Sequence, residues 1–171
     1  MPTTSDELLA HLSALGLNAK TIDHAPLHTV EDSQAQRGAM PGGHFKNLFV
    51  KDKKGRPFLL VLEEDKRIDL KRAHEAIGGQ GRVSFGTPEQ LEHYLGVKPG
   101  SATPFGAIND SQRKVTLAFD VGILRHEWVN FHPLTNTRTT GLSRDDLMKF
   151  LRALGCEPMI VDMPAPIGDI A

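Results

Sequence analysis

Apolar positions mark out the elements in turn. Leu8, Leu9, Leu12 and Leu15 recur at helical spacing behind Thr4-x-x-Glu7, a capping-box pattern, and Gly16 ends the run, so a first helix over 5–15 is predicted. Residues 17–23 read as a strand and 24–28 as a loop. Thr29 can then cap a short helix over 30–37, which Met40-Pro41-Gly42-Gly43 breaks. Residues 44–51 and 56–62 are apolar-rich runs joined by Asp52-Lys53-Lys54-Gly55, a polar turn ending in glycine, and predict a β-hairpin.

Beyond the hairpin, Asp69 can cap a short helix bearing Leu70, Ala73 and Ile77, stopped by Gly78-Gly79. Residues 83–85 suggest a strand. Thr87-Pro88-x-Gln90 opens another helix, with the cap, the first-turn proline and the capping-box partner in place. Residues 96–110 carry three glycines and two prolines, a long loop of the kind that often holds function. Strands follow at 115–119, 128–131 and 137–140. Ser143 caps a last helix carrying Leu147, Phe150, Leu151 and Leu154, and 159–161 returns to the sheet. This irregular mixture, without a repeat or a dividing linker, predicts an α+β single domain over 1–163 with 164–171 as a flexible tail.

Composition narrows the class. The 171 residues suit one hydrophobic core, and 39% hydrophobic against 24% charged is a globular balance. With 20 Lys+Arg and 21 Asp+Glu the net charge is −1, which excludes a wholesale polycation. The one cysteine, Cys156, can form no internal disulfide and no cysteine metal cluster. The run Phe58-Leu59-Leu60-Val61-Leu62 falls far short of the ~20 residues a bilayer requires. The N-terminus shows neither a basic region nor an apolar signal core, so a cytoplasmic location away from membranes is expected.

Three segments carry candidate chemistry. In 44–50, alternation puts Lys46 on one strand face with Leu48 and Val50, and Asn47 on the other with Phe45 and Phe49. An ammonium is costly to bury, so Lys46 either snorkels from an edge strand or serves a site. His132 stands at a strand end before Pro133, followed by Asn136, Thr137, Thr139 and Thr140. Such residues line a pocket or merely bond their own backbone in a turn. The small residues Gly100, Ser101 and Ala102 would let a ligand approach main-chain N–H groups, although no nucleotide-loop glycine spacing is present. An ordinary packed surface loop would look the same.

Two further signals are weaker. His24-x-x-x-His28 with Glu31 is an incomplete metal-ligand set, interrupted by Pro26, so no metal is expected. Cys156 has only Arg152 as a cation nearby in sequence and reads as inert.

Charge is uneven. Residues 46–72 hold nine Lys/Arg against five Asp/Glu, a local +4 against −5 elsewhere. Lys51, Lys53, Lys54, Arg56, Lys66, Arg67, Lys71 and Arg72 could meet a polyanion along one edge, or form a solvated hairpin tip and helix start.

Three motifs in this order, His44-Phe45-Lys46-Asn47-Leu48-Phe49, Gly100-x-x-x-Pro104-Phe105 and Phe131-His132-Pro133-Leu134-x-Asn136 with Thr139, make the chain similar to the freestanding prolyl-tRNA editing deacylases of the YbaK-like superfamily. The likeness runs from the first helix to about Asp162 and is nearest to the branch that clears alanine from proline tRNA. It implies a mixed, barrel-like sheet flanked by helices and hydrolysis of an aminoacyl ester by water, without a cofactor. The partners implied are the acceptor end of proline tRNA and, transiently, prolyl-tRNA synthetase.

The resemblance also suggests roles. Lys46 would bind the terminal adenosine's phosphate or the ester carbonyl, Asn47 would hydrogen-bond the substrate beside it, and His132 would orient the ribose hydroxyls or a water. Gly100, Ser101, Ala102, Thr103, Pro104 and Phe105 would surround the aminoacyl end, with Asn136 and Thr139 lining the same pocket. Two alternatives stay open. One is a deacylase for another mischarged residue, such as cysteine on proline tRNA. The other is a noncatalytic aminoacyl-tRNA or small-ligand binding module.

Overall fold

A computed structural model describes residues 1–26 and 40–167. The expected Thr29-capped helix lies outside the described residues, as do His28, Glu31 and the last four residues of the tail. The described elements are α1 (Ser5–Ala14), β1 (Lys20–Asp23), β2 (Gly43–Lys51), β3 (Pro57–Glu63), α2 (Ala73–Ile77), β4 (Ser84–Phe85) and α3 (Pro88–Leu95). After them come β5 (Thr116–Asp120), β6 (Trp128–Phe131), β7 (Arg138–Ser143), α4 (Arg144–Ala153) and β8 (Met159–Val161). Short 3-10 helices occupy Pro104–Asn109 and Val121–Arg125.

Local signals built the helices. Thr4 and Thr87 each accept a hydrogen bond from the N–H three residues on, and Glu7 and Gln90 reciprocate. Ser143 accepts from Asp146 N–H at the start of α4. Asp69 differs from expectation. It caps a turn, accepting from Lys71 N–H, and α2 begins only at Ala73. The 96–110 stretch also differs, since Thr103 caps a 3-10 helix whose Phe105 is fully buried. Asp69 N–H donates to the Pro164 carbonyl, tying the start of the tail to the body.

One mixed sheet runs in the order β1-β7-β6-β2-β3-β5-β8, with β4 on the second edge of β2. The hairpin β2–β3 is antiparallel in register from Phe45↔Glu63 to Lys51↔Pro57. β3 pairs on its other edge with β5, in parallel. Its run is buried on both faces. Leu59 and Val61 enter the larger core with Phe105, Phe119, Phe131 and Phe150, while Phe58, Leu60 and Leu62 enter a second core with Val50, Ala73 and Ile77. No helix of the described residues is long and apolar enough to cross a membrane.

β2 is shared between the two halves of the sheet, and its second edge is interrupted. It pairs in parallel with β6 only at Gly43↔Val129 and His44↔Asn130, and with β4 only at Val50↔Phe85 and Lys51↔Ser84. Between these ladders the second edge of β2, from Phe45 to Phe49, has no strand partner among the described residues, which leaves a gap beside β6.

Candidate functional site

Sheet register decides which side chains meet. Because His44 stands level with Asn130 in a parallel pair, alternation carries Lys46 to the same side of the sheet as Asn130 and His132. Lys46 is half-buried, and among the described residues its ammonium makes no hydrogen bond or ion pair. Burial lowers its pKa from the ordinary lysine value, with the Asp65 carboxylate acting in opposition. Asn47 points to the opposite side, toward the larger core, where its Oδ1 is buried without a partner. The two neighbours therefore flank the gap from its two sides.

His132 follows β6 in a tight turn. Leu134 takes φ +67°, a left-handed conformation unusual for leucine, and its N–H donates to the His132 carbonyl at 3.0 Å. The His132 ring meets the Arg138 carbonyl at 3.0 Å through Nδ1. A carbonyl only accepts, so Nδ1 carries the proton and Nε2 of the neutral ring holds the lone pair. Burial lowers the His132 pKa below 6.5. The Arg138 carbonyl opposes that shift, and the nearby His24 adds to it. Arg138 is itself clamped, with Nε on Asp23 at 2.9 Å and a terminal nitrogen on Asp6 at 2.7 Å.

His24 joins this cluster. Its ring centroid lies 6.4 Å from that of His132, and its Nε2 lies 2.8 Å from Thr139 Oγ1. Since Nδ1 donates to the Ala25 carbonyl, the neutral ring accepts the Thr139 hydroxyl proton at Nε2. The sequence had shown His24 only as half of a histidine pair. Its placement depends on β1 pairing with β7 at Asp23↔Arg138, a contact across more than a hundred residues.

The glycine loop arrives beside the same turn. A Cβ on Gly100, at φ +89°, would lie 3.7 Å from Asn136 Nδ2. Within the loop, Ser101 N–H donates to the Lys98 carbonyl and Phe105 N–H to Thr103 Oγ1, while Pro104 has none to give. Those of Gly100, Ala102 and Thr103 make no hydrogen bond among the described residues. Ser101, Thr103, Pro104 and Phe105 are buried and set the loop's shape, so Gly100 and the half-buried Ala102 stand nearest to solvent. The fold thus gathers His132, Asn136, Thr139 and Gly100, with Lys46 on the same sheet side as His132.

The basic residues divide. Lys53, Lys71 and Arg72 line one groove of about 550 Å³ together with His74 and Arg82, the latter outside the basic stretch seen in the sequence. Asp69 and Glu75 share its wall, and Arg72 lies 3.9 Å from Glu75. Lys51 ends β2, and Lys54 and Arg67 are exposed. Arg56 is engaged with Asp52 and the Gly78 carbonyl, and Lys66 lies 2.6 Å from the buried Asp120. Cys156 is half-buried, and burial raises its thiol pKa, so it is a poor nucleophile.

The chain is similar to known proteins over most of its length. A family model described as an aminoacyl-tRNA editing domain matches residues 24–150. The prolyl-tRNA editing protein ProX of Acetoanaerobium sticklandii is 35% identical over 149 residues, covering 86% of this chain and 90% of that protein. The prolyl-tRNA synthetase associated domain-containing protein 1 of Mus musculus is 34% identical, covering 91% and 94%. Among solved structures, a protein put forward as a trans-editing enzyme for prolyl-tRNA synthetase shares the fold. Its TM-score is 0.71 at 20% identity, over 97% of this chain and 100% of that one.

Proposed function

The chain belongs to the aminoacyl-tRNA editing domain family, and from that premise we propose that it is a deacylase removing alanine mistakenly joined to proline tRNA. The need for such an enzyme is physical. A synthetase pocket built for proline discriminates against a smaller side chain by only ~1–3 kcal/mol, so a second site must complete the sorting.

One observation carries the reading. A half-buried ammonium with no anion in hydrogen-bond reach among the described residues shares a sheet side with a histidine held neutral, its Nε2 lone pair unspent. In the proposed reaction water attacks the ester carbonyl, the bond from that carbon to the ribose oxygen breaks, and the departing oxygen takes the proton. Alanine and free tRNA are released. Lys46 holds the terminal phosphate or the developing oxyanion, and Asn47 bonds the substrate across the gap. His132 Nε2 orients the water or a ribose hydroxyl, with Asn136 and Thr139 beside it. The unspent N–H groups of Gly100, Ala102 and Thr103 meet the aminoacyl end. The neighbouring ribose hydroxyl of the substrate assists the water.

The groove lined by Lys53, Lys71 and Arg72 fits the acceptor stem, with Lys51 and the exposed Lys54 and Arg67 as further members of the patch and Arg56 and Lys66, engaged by carboxylates, as its less available ones. The names of the relatives support proline tRNA as the partner and a transient encounter with prolyl-tRNA synthetase.

Single-turnover deacylation of alanyl-, cysteinyl-, seryl- and prolyl-tRNA for proline tests the assignment. Alanyl-tRNA is expected to turn over fastest and prolyl-tRNA to be spared. Fastest turnover of the cysteinyl ester would make the chain a sister deacylase, and tight binding without turnover would make it a binding module. The Thr139 hydroxyl lies 2.8 Å from His24 Nε2, which favours a second route through an acyl-enzyme. Replacing Thr139 by valine distinguishes them. Direct attack by water predicts a loss of about tenfold or less, whereas a covalent route predicts abolition.

A further inference from the structure

The side of β6, β7 and β1 that carries His132 also holds a cavity of about 250 Å³. It is lined by Lys20, Ile22, Met40, Pro41, Trp128 and Asn130. Trp128 is its platform. A Cβ on Gly42 would fall 2.8 Å from Trp128 Cδ1 and one on Gly141 2.4 Å from Nε1, so two glycines make room for the indole. Asn130 is 4% exposed, and its Nδ2 is spent on the Pro41 and Gly43 carbonyls, which leaves Oδ1 a buried acceptor without a partner. The cavity adjoins the hydrolytic cluster. Ile22 pairs with Thr139, and Asn130 precedes His132 by two residues, about 7 Å along the strand.

Apolar walls, one aromatic platform and one unsatisfied acceptor are the chemistry that recognises a nucleobase bearing an exocyclic amine. A purely apolar ligand would leave Asn130 Oδ1 unpaired, and an acidic one would meet a single cation, Lys20, whose ammonium lies 5.9 Å from the indole centroid. We infer that this cavity takes the adenine of the nucleotide whose ribose bears the scissile ester, stacked on Trp128 with its amine toward Asn130 Oδ1. Lys20 supplies charge for that nucleotide's phosphate, which leaves Lys46 to the developing oxyanion. The inference rests on the deacylase reading, which it extends from the ester to the base.

Trp128 is the chain's single tryptophan, so its fluorescence reports the stack directly. The wild type is titrated with adenosine 5′-monophosphate and with acceptor-stem minihelices ending in adenosine or in an abasic ribose. The alanyl esters of the two minihelices are then compared in single turnover, in the wild type, Trp128→Leu and Trp128→Phe. Quenching by the adenosine-ended probes alone is expected, together with about tenfold or more faster deacylation of the adenosine-ended ester. That preference should vanish in Trp128→Leu and return in Trp128→Phe. Equal quenching or equal rates with the abasic end overturn the inference, as does a preference that survives in Trp128→Leu. A wild type that quenches with adenosine ends but hydrolyses neither ester would leave the base site standing and remove the deacylase reading.

Discussion

An ammonium half withdrawn from water, with no carboxylate in hydrogen-bond reach, is a poor contributor to stability and a good candidate for work on an anion. Among the described residues Lys46 is such a group, and its lowered pKa follows from burial. Lys46→Ala is expected to cut single-turnover deacylation by about 10²- to 10³-fold, the scale seen when a charge-stabilising donor is lost. Thermal unfolding should stay within about 0.5 kcal/mol of the wild type, because the change removes no partner. Undiminished turnover in that variant would take Lys46 out of the reaction. His132 makes a pH prediction of definite sign. Its neutral ring is the form with a usable lone pair, and its pKa lies below 6.5, so activity should persist into mildly acid solution and fall only below that value. In a pH–rate profile corrected for spontaneous ester hydrolysis, an acid limb centred above 6.5, or one unchanged in His132→Ala, would assign the titration elsewhere.

At the level of elements, the turn of the β2–β3 hairpin is organised by one buried carboxylate. Burial alone would raise the Asp52 pKa, but bonds from Gln80 N–H, Arg56 N–H and guanidinium, and Lys54 N–H outweigh it and hold it at about 2. The unfolded value is 3.8, so this stabilisation is complete above about pH 4 and is lost as pH falls toward 2. Asp52→Ala should lower stability by about 2–3 kcal/mol at neutral pH through stranded N–H groups, and should flatten the acid side of the stability curve. Equal urea midpoints for variant and wild type at pH 7 would refute this. The hairpin, the caps at Thr4, Thr87 and Ser143 and the last helix were legible because their signals lie within a few residues of one another. What stayed hidden was non-local. The side that Lys46 shares with His132 follows from only two β2–β6 pairs, and His24 reaches Thr139 only through the β1–β7 ladder. Leu134 at φ +67° gave no sequence cue, since leucine is not a residue expected there.

Across the whole molecule, charge separates docking from chemistry. Lys46 and Lys51 lie five residues apart on β2, about 17 Å, whereas successive phosphates of a duplex strand advance only about 3.4 Å along its axis. A groove beyond Lys51 therefore cannot meet the nucleotide whose ester lies at Lys46, and must meet ones several positions upstream. The sequence showed the positive stretch but not its partition. Folding commits Lys66 to Asp120 and Arg56 to Asp52, and recruits Arg82 through the loop that Gln80 N–H ties to Asp52. Three phosphate contacts from Lys53, Lys71 and Arg72 would give a slope of log affinity against log salt of about −2 to −3. A fourfold rise in salt should then weaken tRNA binding by about 20- to 40-fold. Replacing all three by alanine should flatten most of that slope and raise KM with little change in kcat, while hydrolysis of alanyl-adenosine, which has no stem, stays as in the wild type. The expectation fails if the slope is unaltered in the triple variant. A fall in alanyl-adenosine turnover would instead mean that these residues support the hydrolytic centre itself.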